Sequence, residues 1–312
     1  MTDLNSEYIG VTSIVGEEGS CKSSMALTWP KPLFHFEFDV GGFDRAIWRF
    51  EKEFKVLRLK MEDNIPVDCF EKYDIVTKPY PVPLDVTKLM GQITEGKRTE
   101  AKFTVRFPKK VEGMKELWQS IVTDFVPLVQ MKKLKSIIFD TSTMHYNIAH
   151  KTILQELQER QLYNHKSDAQ RSKYPFDENS FRERLQPTEY GFAYDKLRQV
   201  YQTASAYRKN TVSVHYPTDE YIKNPDQASI EKDIKSGNKK PDGWQELNKL
   251  ADLIAWTMVK EVSMNGQKLK LPMCKITKCG IAGMGLDAVG KELTASFESI
   301  IQERDRMRGD AK

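Results

Sequence analysis

A lysine and two serines close a glycine-rich turn near the start of the chain. The run reads Gly16, Glu17, Glu18, Gly19, Ser20, Cys21, Lys22, Ser23, Ser24. Gly16, Lys22 and Ser23 stand at the spacing of a phosphate-binding loop, G-x-x-x-x-G-K-[ST], with Cys21 in place of the second glycine. In such a loop backbone amides surround phosphate oxygens, the lysine ammonium reaches the β- and γ-phosphates, and the hydroxyl after it ligates magnesium. The whole run is therefore assigned to nucleotide contact, with Lys22 also catalytic and Ser23 also a metal ligand. A side chain at position 21 crowds the place where amides approach phosphate. Cysteine is small, so the loop survives there with a shifted geometry, and Gly19 and Ser20 keep the rest pliable.

The elements around the loop must hold it. Tyr8 to Val15 is a β-branched, apolar run and predicts a buried strand, with a helix starting at the other end of the turn. Pro32 to Asp39 alternates apolar and polar residues and predicts a second strand, closed by Asp39, Gly41 and Gly42 at its C-terminal edge. In open α/β sheets that edge is where ligands bind. An aromatic and charged helix is expected from Phe43 to Phe54, and a short strand from Tyr73 to Thr77. Ser136 to Thr141 is an apolar strand ending in Asp140, the carboxylate expected to hold magnesium through a water beside Ser23. Helical patterns cover Val111 to Leu128, Thr143 to His165, Tyr190 to Lys209 and Ala295 to Met307. Thr211 to Tyr216 predicts another strand. His215 near its end either senses a γ-phosphate or is simply packed. Leu253 to Val262 and Leu269 to Thr277 flank Asn265-Gly266 and predict an antiparallel hairpin.

The 312 residues suit one elaborated α/β domain, spanning 1–312. A net charge of +4 is mild, so any nucleic-acid contact has to come from local patches. There are three. Residues 84–110 predict an inserted hairpin with Lys97, Arg98, Lys102, Arg106, Lys109 and Lys110. Residues 166–185 read as a mobile loop in which Arg171, Lys173 and Arg182 interleave with Tyr174 and Phe176, cations for phosphates and rings for bases. Residues 217–242 read as a second, lysine-rich loop that includes Lys239 and Lys240. The plain alternative is a solvated charged face for the first and a disordered surface excursion for the second. No apolar run is long enough to span a membrane, and Met1 to Glu7 is polar rather than a signal peptide. Cys21, Cys69, Cys274 and Cys279 are scattered and read as free thiols of a reducing cytoplasm.

In order, these parts resemble the RecA-like core of P-loop ATPases. More narrowly, they are similar to phage-encoded RecA-fold nucleotide-binding proteins of single-strand annealing and recombination. The residues that carry the likeness are the loop Gly16 to Ser24, the edge Phe36 to Gly42, and Ile137 to Asp140. Glu189-Tyr190-Gly191, Val212 to His215, Ala251 to Ile254 and Cys274 to Lys278 follow in the same order. The resemblance implies a mostly parallel sheet with helices on both faces, ATP and Mg2+ at its C-terminal edge, and a host cytoplasm. It also implies a homo-oligomeric ring or filament that binds single-stranded DNA through the two loops. Lys275 and Lys278 would then reach a neighbour's γ-phosphate, and Asp44 and Glu112 occupy places where the wider superfamily puts its general base. A nucleotide-dependent switch with a protein partner and no DNA is the alternative function.

Overall fold

Both faces of the central strands are apolar, and that decides the architecture. The structure, a computed structural model, describes residues 7–83, 109–169, 171–177, 180–222, 234–244, 246–264 and 267–310. β1 (Val11–Val15) leads through the glycine-rich turn into α1 (Lys22–Ala26). β2 (Leu33–Glu37), α2 (Gly42–Ile47), β3 (Val56–Arg58), α3 (Cys69–Lys72) and β4 (Ile75–Pro79) follow. Next come α4 (Met114–Gln130), β5 (Ser136–Asp140), α5 (Ser142–Ser167), α6 (Tyr190–Ala206) and β6 (Asn210–His215). The remainder is β7 (Pro217–Ile222), β8 (Ile234–Pro241), α7 (Leu247–Leu250), β9 (Leu253–Met264), β10 (Gln267–Cys279), β11 (Glu292–Thr294) and α8 (Phe297–Asp310).

Successive strand residues point to opposite faces. Phe34 and Phe36 of β2 enter one hydrophobic cluster, whereas Leu33 enters the other. Ile137 and Phe139 of β5 part from Ile138 in the same way. A sheet buried on both sides needs helices on both sides. Leu117, Ile121 and Phe125 of α4, Ile148 of α5 and Leu197 and Tyr201 of α6 cover the first face. Met25 of α1, Phe43 and Ile47 of α2 and Ile300 of α8 cover the second.

The sheet has nine strands in the order β11-β10-β9-β1-β6-β5-β2-β4-β3. β9, β1, β6, β5, β2, β4 and β3 pair parallel throughout, and β10 pairs antiparallel with β9 and with β11. β1 is thus interior, and β6 lies between it and β5. The expected α/β fold with a mostly parallel sheet, helices on both faces and a C-terminal antiparallel hairpin is present, although Asn265-Gly266 lies outside the described residues.

Three expectations change. Residues 217–242 are not a plain loop, because β7 and β8 pair antiparallel as a separate two-stranded ribbon. Its strands are polar on both faces because the ribbon is no part of the main sheet, so no apolar alternation marks them in the sequence. Residues 166–185 are anchored rather than loose. α5 runs on to Ser167, and Phe181 and Leu185 are buried. The expected helix from Phe43 ends as regular α-helix at Ile47. The inserted hairpin falls outside the described residues apart from Lys109 and Lys110. Among the described residues no helix is long and apolar enough to cross a membrane.

Candidate functional site

The glycine-rich turn leaves β1 at the C-terminal edge of the parallel strands, between His215 at the end of β6 and Trp256 of β9, which runs on past it. Gly16 can be nothing larger. A β-carbon there would stand 2.2 Å from Thr257 Oγ1 and 2.4 Å from Ser20 Oγ. With the space empty, the Ser20 and Thr257 hydroxyls bond at 2.8 Å and pin the turn to β9. Cys21 is left-handed, with φ 67° and ψ 26°. Glycine holds that conformation without penalty, whereas an L-residue costs about 1–2 kcal/mol there. The backbone therefore keeps the glycine shape that the motif calls for, with a cysteine in it.

Lys22 is buried at 6% exposure. Its ammonium donates to the Glu17 carbonyl at 2.7 Å and lies 4.4 Å from the centre of the Tyr216 ring. Burial pushes its pKa down, and the carboxylates of Asp140, Glu17, Glu18 and Asp39 oppose the shift. The Tyr216 phenol is pushed up by burial and by Asp39, Asp140 and Glu18, while Arg45 pulls it down. Lys22, Glu18, Asp39, Arg45, Asp140 and Tyr216 line one open cleft of about 510 Å³, with Ser23, Ser24, Thr141 and Arg49 completing the wall. Apart from Tyr216, the polar groups come from the turn, α1, the segment from Asp39 to Arg49 that contains α2, and the β5–α5 junction.

Asp140 ends β5 nearly buried, with His35 Nε2 3.5 Å from its Oδ2. His35 Nδ1 is in turn 3.0 Å from the Thr77 hydroxyl, which fixes the ring. Glu37 at the end of β2 accepts the Phe43 amide at 2.9 Å and so orients α2. Ser24 Oγ donates to the Ala46 carbonyl at 3.1 Å, which ties α2 to α1. The oxygen donors present, the Ser23 hydroxyl and the Asp140 carboxylate, suit magnesium, which takes one or two protein ligands and fills its shell with phosphate and water. Among the described residues no group of three or more His, Cys, Asp or Glu side chains forms a self-sufficient metal site.

Several residues singled out in the sequence lie elsewhere. Asp44 is exposed and paired with Arg58 at 3.0 Å, on the side of α2 away from the cleft. Glu112 lines a different cavity and pairs with Lys110. Neither is placed to act as a base. Asp39, from the edge that the sequence marks with Gly41-Gly42, does line the cleft, together with Glu18 and Asp140. His215 is packed: its Nδ1 lies 2.9 Å from the Asp242 carbonyl and so carries the hydrogen, leaving Nε2 bare, buried and unpartnered. Burial pushes its pKa down to about 4, so the ring is neutral and offers phosphate no N–H. Lys278 is held by the Asn248 and Lys249 carbonyls and pairs with Ile254 near the start of β9, level with Ser13 in the middle of β1 rather than with the turn. Lys275 lies level with Trp256, near the loop, and across from Glu292.

Of the basic segments, Arg182 is spent on Glu189 in a two-pronged pair at 2.8 and 2.7 Å. Phe176 packs against His165 and Phe181. Arg171 pairs with Asp168, and Lys173 and Tyr174 are exposed. On the ribbon Lys239 pairs with Glu17 of the turn, and Lys240 sits beside it on β8. Arg45 and Arg49 are cleft residues that sequence reading passed over. Their spacing of one helical turn was the available signal. All four cysteines are free. No protein-family model matches the chain, and no curated protein sequence matches it.

Proposed function

We propose that the chain binds and hydrolyses ATP with magnesium in this cleft, as a RecA-like ATPase that acts on single-stranded DNA in recombination or annealing. One observation carries the nucleotide reading. Lys22 and Ser23, adjacent in the turn, and Asp140, far downstream in the sequence, converge on a single open cleft at the C-terminal edge of a parallel sheet. The interior place of β1 and the helices on both faces support the RecA-like assignment.

Magnesium, bound with the nucleotide, would be held by Ser23 and Asp140 and would neutralise phosphate charge. Lys22 exchanges the Glu17 carbonyl for β- and γ-phosphate oxygens. Its partial burial makes that exchange favourable, because the ammonium is short of solvent. Asp39, in place of Asp44 or Glu112, takes the proton of a water whose oxygen attacks the γ-phosphorus. The bond from the γ-phosphorus to the bridging oxygen breaks, and its electron pair leaves on ADP. Glu37 and Ser24 hold α2, and therefore Asp39, in register with the turn.

The DNA part rests on exposed Lys173 and Tyr174 and on the ribbon, whose Lys239 touches the phosphate-binding turn. That same contact favours the second reading, a nucleotide-dependent switch in which the ribbon reports occupancy to a protein partner. Magnesium-dependent ATP turnover, measured with and without single-stranded DNA at two salt concentrations, separates them. Turnover raised by DNA and suppressed by salt supports the DNA reading. Turnover indifferent to DNA leaves the switch, and the absence of nucleotide binding rejects both.

A further inference from the structure

We propose that Arg45 is a catalytic residue acting within its own chain, the cation that meets the γ-phosphate from the side opposite Lys22. The proposal rests on the magnesium–ATP reading above, and it replaces a neighbour's Lys275 or Lys278 in that role. The root of Arg45 is fixed. The α2 segment that carries it is tied at Phe43 to Glu37 and at Ala46 to Ser24, so its place relative to the phosphate-binding turn is set by hydrogen bonds. Its head is not fixed. The guanidinium lies over the Gly41-Gly42 turn, with Nη1 3.5 Å from where a β-carbon of Gly41 would stand and Nη2 4.0 Å from that of Gly42. No side chain there blocks its swing into the cleft.

The ion pair that holds Arg45 is weak. Asp39 Oδ2 is 3.7 Å away, and the two side chains are 71% and 46% exposed. Exposed pairs of this kind contribute little, so a phosphate oxygen displaces the carboxylate easily. Guanidinium also matches phosphate geometry with two parallel hydrogen bonds, which an ammonium cannot do. Tyr216 marks where the two cations meet. Its ring takes the Lys22 ammonium at 4.4 Å, and its phenol feels Arg45. A phosphate seated between Lys22 and Arg45 draws Arg45 from Asp39 and releases that carboxylate to take the proton of the attacking water. One movement thereby supplies the cation and frees the base. The in-trans candidate Lys278 has no such freedom, because two carbonyls of its own chain hold it.

The test compares Arg45→Ala and Arg45→Lys with the parent protein in three measurements. ADP affinity should change less than about threefold. Turnover should fall about 10³-fold in Arg45→Ala and by an intermediate factor in Arg45→Lys, the scale of losing an arginine that stabilises transferring phosphate. ADP with magnesium and aluminium fluoride, which imitates the transition state, should be trapped by the parent and not by Arg45→Ala. Mixing Arg45→Ala with Lys22→Ala then decides whose site the arginine serves. No recovery of turnover is expected. Recovery on mixing overturns the proposal, as does an Arg45→Ala protein that turns over within threefold of the parent or still traps the analogue. A parent that binds no ADP or ATP overturns the nucleotide reading itself, and this proposal with it.

Discussion

Two cavities in this molecule are lined by charged and amide side chains, and they differ in how much hydrogen-bonding capacity is left over. Around the cavity of about 290 Å³ beside Glu112, the polar groups are consumed. Gln155 Oε1 accepts the Met114 and Lys115 amides, and its Nε2 donates to Glu116 and Glu159. Gln158 accepts the Val111 amide and donates to the Lys109 and Arg182 carbonyls. In the cleft at the glycine-rich turn, Lys22 has a backbone carbonyl for want of a counter-ion, Arg45 holds a loose pair, and Cys21 sits in a glycine conformation. The first cavity is a joint between α4 and α5, whereas the second keeps its charge available for a ligand. Saturation, more than size or acidity, separates structural polar clusters from functional ones.

Lys22→Ala should break this contrast most severely. Without the ammonium the cleft loses the group proposed to reach the β- and γ-phosphates, and ATP turnover should fall by about 10³-fold or more, roughly 4 kcal/mol. The melting temperature should hardly move, because the ammonium bonds one carbonyl of the same turn. Undiminished turnover in a folded variant would reject the site. The opposite substitution is Gln155→Leu. It strands the Met114 and Lys115 amides, at about 1–3 kcal/mol for an unsatisfied buried group. Denaturant unfolding should show that loss, with turnover per folded molecule within twofold of the parent. A large fall in turnover would mean that the two cavities are coupled.

How far the sequence reaches follows the same division. Runs such as Val11 to Val15 and Ile137 to Phe139 are legible as strands because both faces are buried, and α4 is legible because its apolar residues keep a helical period. β3 and β11 have three residues each, too few for any period to declare itself. The ribbon is polar on both faces and looks like a loop. Within the site, the turn and Asp140 are legible because their chemistry is local to a motif. Asp39 and Asp44 are close in sequence, and only the exit of β2 into α2 decides which faces the cleft. The pairing of Arg45 with Asp39 across a bare glycine turn is a fact of three dimensions.

Two buried histidines, His145 on α5 and His215 on β6, make stability depend on pH. His145 is stacked among Phe38, Trp118 and Phe139 with both ring nitrogens unpartnered, and burial pushes its pKa down to about 3. His215 stands at about 4. Both are depressed below the unfolded value of about 6.5, so the unfolded chain binds more protons in the window between. Stability is complete above about pH 6.5 and is lost as pH falls towards those values, at up to about 1.4 kcal/mol per pH unit for each ring. At pH 5 that is roughly 2 kcal/mol each. His145→Phe keeps the aromatic packing, removes one proton site and should make the slope of unfolding free energy between pH 7 and pH 5 shallower by about half. An unchanged slope would show that carboxylates set the acid limit instead.

The smallest effect belongs to Cys21→Gly. Its backbone is already at φ 67°, where glycine is unstrained, and its thiol bonds only weakly, 3.9 Å from the Gly19 carbonyl. Removing the side chain relieves about 1 kcal/mol of local strain and also frees the unfolded chain, which opposes the gain. The net change in melting temperature should therefore be within about 2 °C. Nucleotide affinity should be equal or higher, because the turn's amides can then approach phosphate without a β-carbon in the way. Isothermal titration with ADP on both proteins measures it. A loss of affinity beyond about tenfold would give the thiol a role of its own in the cleft. The phosphate-binding turn would then depend on its one departure from the motif, and the line drawn between saturated and unsaturated polar clusters would have missed a contact made by sulfur.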